Sequence, residues 1–466
     1  MKHIALVTGA FFCLAGSFAQ KAQKQTPEVW VTDAKKQVLF QRSKLDIKAT
    51  AITSGLPVIN IDDSKRFQQM DGFGGTLTGG SAMVMERMEA KARKALLLQL
   101  FDTTGSNIGI SYIRISIGAS DLDEKTFSYN DLPAGQTDTA LTHFSLGYDT
   151  LYLLPLLKEI LAINPRIKIL GSPWSAPVWM KDNGDTRGGS LQVKYQQVYA
   201  EYLARYIREM KKEGVVIDAI TVQNEPLHPG NNPSMFMTAS QQADFVGNHL
   251  GPVFEKQGIS TKIIVYDHNA DRPDYPIAVM DNEKARKYVD GSAFHLYGGT
   301  IDALSKVHEA YPNKNLYFTE QWLGAPGNLG KDLAEHVQNL TIGASRNWCK
   351  TVLEWNLASD TLYNPHTDRG GCDRCLGVTT IGGNAFSKNP AWYILAHSAK
   401  LVRPGSFRIA SDELADLKTV AFKRPDGKKV LIVLNTGATL RRFDINDNGK
   451  RAVTSLNAGA VATYIW

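Results

Sequence analysis

Two glutamates stand where this chain could do acid–base and nucleophilic work. Glu225 closes the run Thr221-Val222-Gln223-Asn224-Glu225-Pro226, and Glu320 closes Leu316-Tyr317-Phe318-Thr319-Glu320. Each follows a short stretch rich in β-branched and aromatic residues, so each is placed at the C-terminal end of a strand. A facing pair of carboxyl groups suits cleavage of the acetal that joins two sugars. One, as the acid, protonates the leaving oxygen; the other, as the anion, attacks or stabilises the sugar cation. A separation of about 5–5.5 Å gives retention and roughly 6.5–9.5 Å inversion; the sequence leaves that distance open. A lone glutamate at a strand end is as readily a salt-bridge partner. The pair gains weight from its company: Trp174, Asn224, His295, Tyr297, Trp322 and Trp355 fall at the ends of the same kind of segment, and aromatic planes pack on the apolar C–H faces of sugar rings. Arg114 lies inside a strand, where a buried guanidinium needs an anionic partner. Glu320 is the natural one, because a nearby cation keeps a nucleophile ionised. His228, His268 and His295 match no metal-ligand spacing and are read as hydrogen-bond partners for hydroxyl groups. No metal and no cofactor is expected.

The elements that must carry these residues alternate two textures. Short β-rich segments recur at Asp71–Leu77, Tyr112–Gly118, Ile167–Trp174, Ala219–Pro226, Lys262–Asn269, Ser292–Gly298, Leu316–Trp322 and Thr351–Ala358. Between them lie segments with apolar residues at helical spacing. The clearest is Leu191–Lys212, where Leu191, Tyr195, Val198, Tyr202, Tyr206, Ile207 and Met210 step by three or four and Gly214 can act as the stop. Other helices are expected at 82–100, 151–163, 240–256, around 284–288, and at 302–310, 333–345 and 390–402. Strands each followed by a helix point to a (β/α)₈ TIM barrel. A doubly wound open sheet would want G-x-G-x-x-G after its first strand, and Gly72-Phe73-Gly74-Gly75 does not supply it. In a barrel the fourth and seventh strands face each other across the mouth, which brings Glu225 and Glu320 together.

The chain ends differ. Beyond residue 405, Val420–Arg424 and Lys429–Leu434 flank Pro425-Asp426-Gly427, a hairpin signal, and Ala452–Leu456 and Val461–Trp466 read as further strands. Val29–Gln41 is also strand-like. Because a two-stranded piece is marginal alone, both ends are expected to form one small β-sandwich. The resulting division is 1–19 a signal peptide, 20–65 N-terminal strands of the sandwich, 66–404 the barrel and 405–466 the rest of the sandwich. The signal peptide rests on the apolar run Ile4–Leu14 and on Ser17-Phe18-Ala19, which has small residues at the cleavage positions; it predicts export to the periplasm, the cell surface or the medium. The formal charge of +6 over 466 residues, without a dense basic run, excludes nucleic acid as an expected partner. No other stretch approaches the ~18 apolar residues of a membrane helix. Cys372 and Cys375 have C-x-x-C spacing without a second pair, so a local disulfide or plain thiols in a loop is the reading rather than zinc. Oligomeric state is left open.

Taken together, Gly72-Phe73-Gly74-Gly75, Ile113-Arg114-Ile115-Ser116, Gly171-Ser172-Pro173-Trp174-Ser175-Ala176-Pro177, Gln223-Asn224-Glu225-Pro226, His295-Leu296-Tyr297, Phe318-Thr319-Glu320 and Trp355-Asn356-Leu357-Ala358 resemble glycoside hydrolase family 30. That is the family of glucosylceramidases and β-1,6-glucanases, and the resemblance covers most of 66–466. It implies a retaining double displacement with Glu225 as acid/base and Glu320 as nucleophile. Asn224 would hold the sugar 2-hydroxyl, with Trp174, His295, Tyr297 and Trp355 lining the sugar site. It also implies a barrel joined to a sandwich of both chain ends, and no cofactor. Two departures bear on substrate. Gly79 stands where glucosylceramidases are expected to carry an acidic residue, which would open the inner end of the pocket, and Trp322 adds a stacking surface beside the nucleophile. Both favour a β-1,6-linked glucan over a glucosylceramidase-like exo-β-glucosidase or β-xylosidase acting on glycolipids or small glycosides. A non-catalytic glycan-binding protein of the same fold would be expected to lack one of the carboxylates, and both are present.

Overall fold

The computed structural model describes residues 27–49 and 54–466; the expected signal peptide lies outside them. Eight parallel strands close into a barrel in sequence order: Gly72–Leu77, Tyr112–Ile117, Lys168–Pro173, Ala219–Thr221, Lys262–Asn269, Val289–His295, Asn315–Glu320 and Cys349–Asn356. They are called the first to eighth strands below. All eight predicted segments are strands, with ends moved by up to five residues. The largest change is in the fourth, expected to run to Pro226 but leaving the ladder after Thr221.

Helices pack outside the barrel. Gln196–Lys212 buries Tyr199, Tyr202, Leu203, Tyr206, Ile207 and Met210 on one face and ends before Gly214, whose φ of +85° suits glycine alone at low cost. The segment expected as one helix at 82–100 is two, Gly79–Glu86 and Ala90–Phe101; Thr78 caps the first by accepting from Ser81 N–H. Among the described residues, no helix is long and apolar enough to cross a membrane.

The barrel interior is layered. Tyr112, Leu170, Ala219, Ile264, Ala293, Tyr317 and Leu353, one from each of the second to eighth strands, form a buried apolar plug. Side chains repeat on one face every two residues, so the next inward layer toward the C-terminal mouth falls on Arg114, Ser172, Thr221, His295, Thr319 and Trp355. Charge and hydroxyls thus sit on a sealed hydrocarbon floor, the general arrangement of a barrel with its site at the C-terminal face. The fifth strand reaches the layer by another route. Its pairing with the sixth slips between Tyr266 and His268, and Tyr266 and Asp267 have φ of 74° and 66°. This bulge points Asp267 inward and leaves Tyr266 in the outer core.

Both chain ends meet in one ten-stranded sheet. Its order is Val38–Lys44, Glu28–Asp33, Val461–Ile465, Lys429–Asn435, Leu417–Lys423, Phe407–Ser411, Val58–Gln69, Arg441–Asp447, Lys450–Leu456 and Lys48–Ala49. The sheet folds over on itself: Phe443 and Tyr464, from strands far apart in that order, meet edge to face at 6.2 Å. Lys429–Asn435 is buried on both sides. Leu431 and Val433 face the sandwich core, while Val430, Ile432 and Leu434 join the barrel's core. The two domains are therefore packed directly together. The sheet holds the chain as far as Gln69, so the barrel begins at Gly72 rather than at residue 66.

Candidate active site

Arg114 is the centre of the polar layer. It is fully buried. Its Nη1 donates to Glu320 Oε2 at 2.5 Å, and its Nη2 donates to Asn224 Oδ1 at 2.6 Å, Asp267 Oδ2 at 2.9 Å and Ser172 Oγ at 3.2 Å. The guanidinium also lies 4.7 Å from the ring centre of Trp174 and 5.7 Å from that of Trp355, within range of cation–π attraction. Because Asn224 Oδ1 is taken by Arg114, the Asn224 amide N–H groups are the end free to donate toward the pocket.

Asp267 is the second hub. Oδ2 accepts from Arg114, Ser172 (2.7 Å) and Thr221 (2.7 Å), while Oδ1 accepts from Thr319 at 2.6 Å and meets His295 Nε2 at 3.2 Å. Burial disfavours this anion, but the Arg114 charge and the His295 bond outweigh it and hold Asp267 far below the usual carboxylate range. Asp267 lies within the predicted strand segment Lys262–Asn269, but the bulge that aims it inward leaves no mark in residue type.

Glu225 reaches the mouth because the chain leaves the fourth strand early. Asn224 N–H is drawn to Pro173 O at 2.8 Å and Glu225 N–H to Asp267 O at 3.0 Å, and Glu225 takes a φ of 44°. That left-handed backbone is costly for a side-chain-bearing residue and recurs at functional sites. Its Oε1 lies 3.1 Å from His295 Nδ1, and its Oε2 accepts from Asn231 Nδ2 at 3.2 Å. Glu320 accepts from Arg114 on one oxygen and from the Tyr297 hydroxyl, at 2.9 Å, on the other. One oxygen each from Glu225 and Glu320, with a nitrogen of His295, all lie within 4.8 Å of one another. Two carboxylates this close, both buried, titrate as a coupled pair. Burial and the Glu225 charge push Glu320 up against the pull of His295 and Arg114, while His295 draws Glu225 down against its own burial. Like charges this close resist being ionised together. Direct contacts decide where the negative charge is kept: Glu320 has a guanidinium and a phenol, the stronger set of donors.

Burial alone would lower the His295 pKa. Instead the Glu320 charge and the bonds to Asp267 and Glu225 raise it to about 10. His295 is then an imidazolium with a carboxyl oxygen of Glu225 or Asp267 beside each nitrogen, and it has no lone pair to give a metal ion. The cluster of Glu225, His295 and Glu320 is thus better suited to holding a proton than a cation.

A cavity of about 280 Å³ opens above the pair, lined by Trp174, Trp322, Trp355, Tyr297, His228, His268, Asn231 and Asp121 among others. Trp174 and Trp355 lie 5.5 Å apart, ring centre to ring centre. All nine predicted site residues thus lie in the pocket or in the polar layer beneath it. Cys372 and Cys375 are joined as a disulfide and form part of the wall. Cys375–Leu376 pairs with Leu323–Gly324, just beyond Trp322, so this crosslinked turn braces the segment that follows the nucleophile candidate. A larger groove of about 730 Å³ lies on the same face, between the loops after the second and third strands; Phe127 and Trp179 are half-buried along it.

One expectation is overturned. Gly79 does not open the pocket: a Cβ there would stand 1.8 Å from Asp123 Oδ1, so the Asp123 carboxylate already fills that space. Asp123 is held by Ser120 N–H and Oγ at 2.7 and 2.9 Å. The acid that does line the cavity is Asp121, two residues earlier. Its Oδ1 is buried without a partner, and burial together with the charges of Glu320 and Glu225 pushes its pKa well above the usual carboxylate range. A carboxyl oxygen left without a partner in the cavity wall suits a sugar hydroxyl. The only trace in the sequence was an acidic pair in a loop, which is common on any surface.

The chain as a whole is similar to known proteins. The model of the glycosyl hydrolase family 30 TIM-barrel domain matches residues 70–402, and that of the family 30 beta sandwich domain matches 405–464. The chain is 32% identical over 405 residues to Endo-1,6-beta-D-glucanase neg1 of Aspergillus fumigatus, covering 81% of each. It is 29% identical over 449 residues to the Lysosomal acid glucosylceramidase of Mus musculus, covering 90% of this chain and 85% of that one. Among solved structures, the endo-beta1,6-glucanase BT3312 superposes with a TM-score of 0.88 at 32% identity, covering 95% of this chain and 99% of that one.

Proposed function

Since the chain belongs to glycosyl hydrolase family 30 and is a glycoside hydrolase, we propose that it cleaves β-1,6-linked glucan with retention, Glu225 acting as acid/base and Glu320 as nucleophile. The observation that carries the mechanism is the approach of one oxygen of Glu225 and one of Glu320 to within 4.8 Å of each other. That is short of the roughly 6.5–9.5 Å that leaves room for the attacking water of an inverting enzyme. In the first step Glu320 attacks the anomeric carbon while Glu225 gives its proton to the departing oxygen. Arg114 and the Tyr297 hydroxyl keep Glu320 anionic and oriented. The Asn224 amide donates to the 2-hydroxyl, a bond that tightens as the sugar flattens. Asp121 and the tryptophans hold the ring. In the second step Glu225, now a carboxylate steadied by His295, takes a proton from water, which releases the sugar from Glu320.

The linkage rests on the relatives named endo-1,6-beta-glucanases and on Trp322 in the pocket wall; Gly79 no longer supports it. A proton NMR time course on a soluble β-1,6-linked glucan tests both parts. Early β-anomer with a rapid fall in chain length is expected. Early α-anomer would break the mechanism. No release would break the substrate assignment and turn attention to the small glycosides and glycolipids of the glucosylceramidase relatives.

Glu225→Ala separates the two carboxylates. Loss of a general acid costs about 10²–10⁴-fold, so kcat/KM on glucan should fall by that range. On an aryl β-glucoside whose phenol leaves without help, the first step should fall far less. Equal losses on both substrates would remove Glu225 from the acid role. Export is part of the same reading, supported by the apolar run at Ile4–Leu14 and by the Cys372–Cys375 disulfide, which suits an oxidising compartment.

A further inference from the structure

The catalytic pocket contains two imidazoles that the two steps above do not use, those of His228 and His268. His268 lines the cavity, is only 7% exposed, and its Nδ1 is buried with no hydrogen-bond partner. An unmet polar atom in such a place is unfavourable to keep. Its ring stands 5.9 Å from that of Tyr266 and 6.4 Å, edge to face, from that of His295, so packing on two sides fixes where it points. Burial, only partly offset by the Glu225 charge, lowers its pKa to about 4. At ordinary pH it is a neutral ring with one N–H and one lone pair, and a hydroxyl, which donates and accepts, satisfies it in either tautomer. An alkyl chain or a bare aromatic ring does not.

Its place in the chain says which sugar it meets. His268 follows Asp267, whose carbonyl anchors the Glu225 backbone N–H at 3.0 Å, so it stands beside the acid/base carboxylate. Asn231, bonded to Glu225 Oε2, and His228 line the same cavity. A substrate that sets its anomeric carbon against Glu320 presents the departing oxygen to Glu225. The groups beside Glu225 then border the unit that leaves. The ring that stays is held from the Arg114 side, by Asn224.

We propose that His268 is a specificity-determining residue for the leaving group: it hydrogen-bonds a hydroxyl of the departing sugar, so the pocket prefers a glycan leaving group to an alkyl or aryl one. This rests on the glycosidase assignment of Glu225 and Glu320 made above. The same contact serves an incoming sugar. When an acceptor hydroxyl attacks the glycosyl-enzyme, the new bond from its oxygen to the anomeric carbon forms as the ester bond to Glu320 breaks, and the hydroxyl proton passes to Glu225.

The experiment uses that second route. With 4-nitrophenyl β-glucoside as donor and methyl β-glucoside as acceptor, the ratio of transfer to hydrolysis is measured for the full chain and for His268→Leu, His268→Met and His268→Asn. The two apolar variants should lower the ratio about tenfold, the scale of one well-placed hydrogen bond. His268→Asn, which keeps an N–H donor, should recover part of it. Two apolar replacements of different shape guard against one that does not fold. The kcat/KM for a β-gluco-oligosaccharide relative to that for the aryl glucoside should drop by the same factor. An unchanged ratio in the apolar variants would overturn the proposal, as would absence of transfer by the unmodified protein at saturating acceptor. If β-1,6-glucan is not cleaved but the transfer ratio still falls, the linkage assignment fails and the role of His268 stands.

Discussion

Glu320→Gln should lower kcat at least about 10⁴-fold on every substrate, whatever its leaving group, and leave the barrel folded. Removing a covalent nucleophile disables both chemical steps, and losses of this order or beyond are found when such a group is deleted elsewhere; 10⁴-fold corresponds to about 5.4 kcal/mol of barrel-borne stabilisation of the transition state. The amide is the same shape as the carboxylate, so Trp174, Trp322 and Trp355 keep their pocket. What changes is charge. Arg114 Nη1 loses its anion at 2.5 Å but Nη2 keeps Asp267 at 2.9 Å. The loss of stability is therefore that of one charged hydrogen bond, about 1–3 kcal/mol, and not that of an abandoned buried cation. Labelling gives the direct check. A slow 2-fluoro-glucosyl donor should leave its sugar on the peptide that contains Glu320, and mass spectrometry of the variant should show none. A sugar found on another residue, or turnover within tenfold of the unmodified protein, would refute the assignment. The contrast with Glu225→Ala, whose cost depends on the leaving group, makes the two roles distinguishable in one set of substrates.

What the sequence made legible follows the period of the elements. The second and third strands pair without a register shift, and although the ladders of the sixth, seventh and eighth strands slip, each of these strands ends close to where the sequence puts its end, so residues at those ends could be placed at the mouth without knowing any contact. Arg114, Trp174, His295, Glu320 and Trp355 were reached that way. The fourth and fifth strands broke the rule. Thr221-Val222 reads as continuing strand, yet Asn224 and Glu225 are pulled out of the ladder by carbonyls of the neighbouring third and fifth strands, and no local propensity reports a tertiary bond. The bulge at Asp267 is invisible for the same reason: neither Tyr266 nor Asp267 is a glycine that would announce a positive φ. Asp121 and Asp123 show a third limit. A motif can be matched by position along a strand, but which carboxylate fills a space is settled by a loop that folds back from the next strand, and Gly79 was misread on that account. At the sandwich, strands Phe407–Ser411 and Arg441–Asp447 passed unnoticed because their apolar residues are sparse and their partners lie far away in sequence.

The residue least prominent in the sequence should have the second-largest effect. Asp267→Asn is expected to destabilise the fold by about 3–5 kcal/mol and to cut kcat by about 10²-fold or more, although Asp267 is not among the residues that line the substrate cavity. Removing one member of a buried ion pair strands the other. Here two cations depend on the same carboxylate: Arg114 through Oδ2 and His295 through Oδ1. An asparagine must also turn an N–H₂ toward one side. That side holds either Arg114 with the Ser172 and Thr221 hydroxyls, or His295 with the Thr319 hydroxyl, so one donor set meets a donor. Activity falls because Arg114 orients both Glu320 and Asn224, and a shift of one guanidinium misplaces nucleophile and 2-hydroxyl ligand together. A third readout separates this from simple loss of stability. The His295 pKa, held near 10 partly by Asp267, should fall in the variant. Because a raised histidine pKa contributes stability that is present below its unfolded value of about 6.5 and is lost as pH rises through the folded one, the destabilisation should be larger at pH 6 than at pH 10. NMR titration of the ring and denaturant melts at those two pH values measure both. If Asp267→Asn melts like the unmodified protein and the His295 titration does not move, the polar layer is not held by Asp267, and Arg114 must be kept in place by its remaining partners, Glu320, Asn224, Ser172 and the tryptophans.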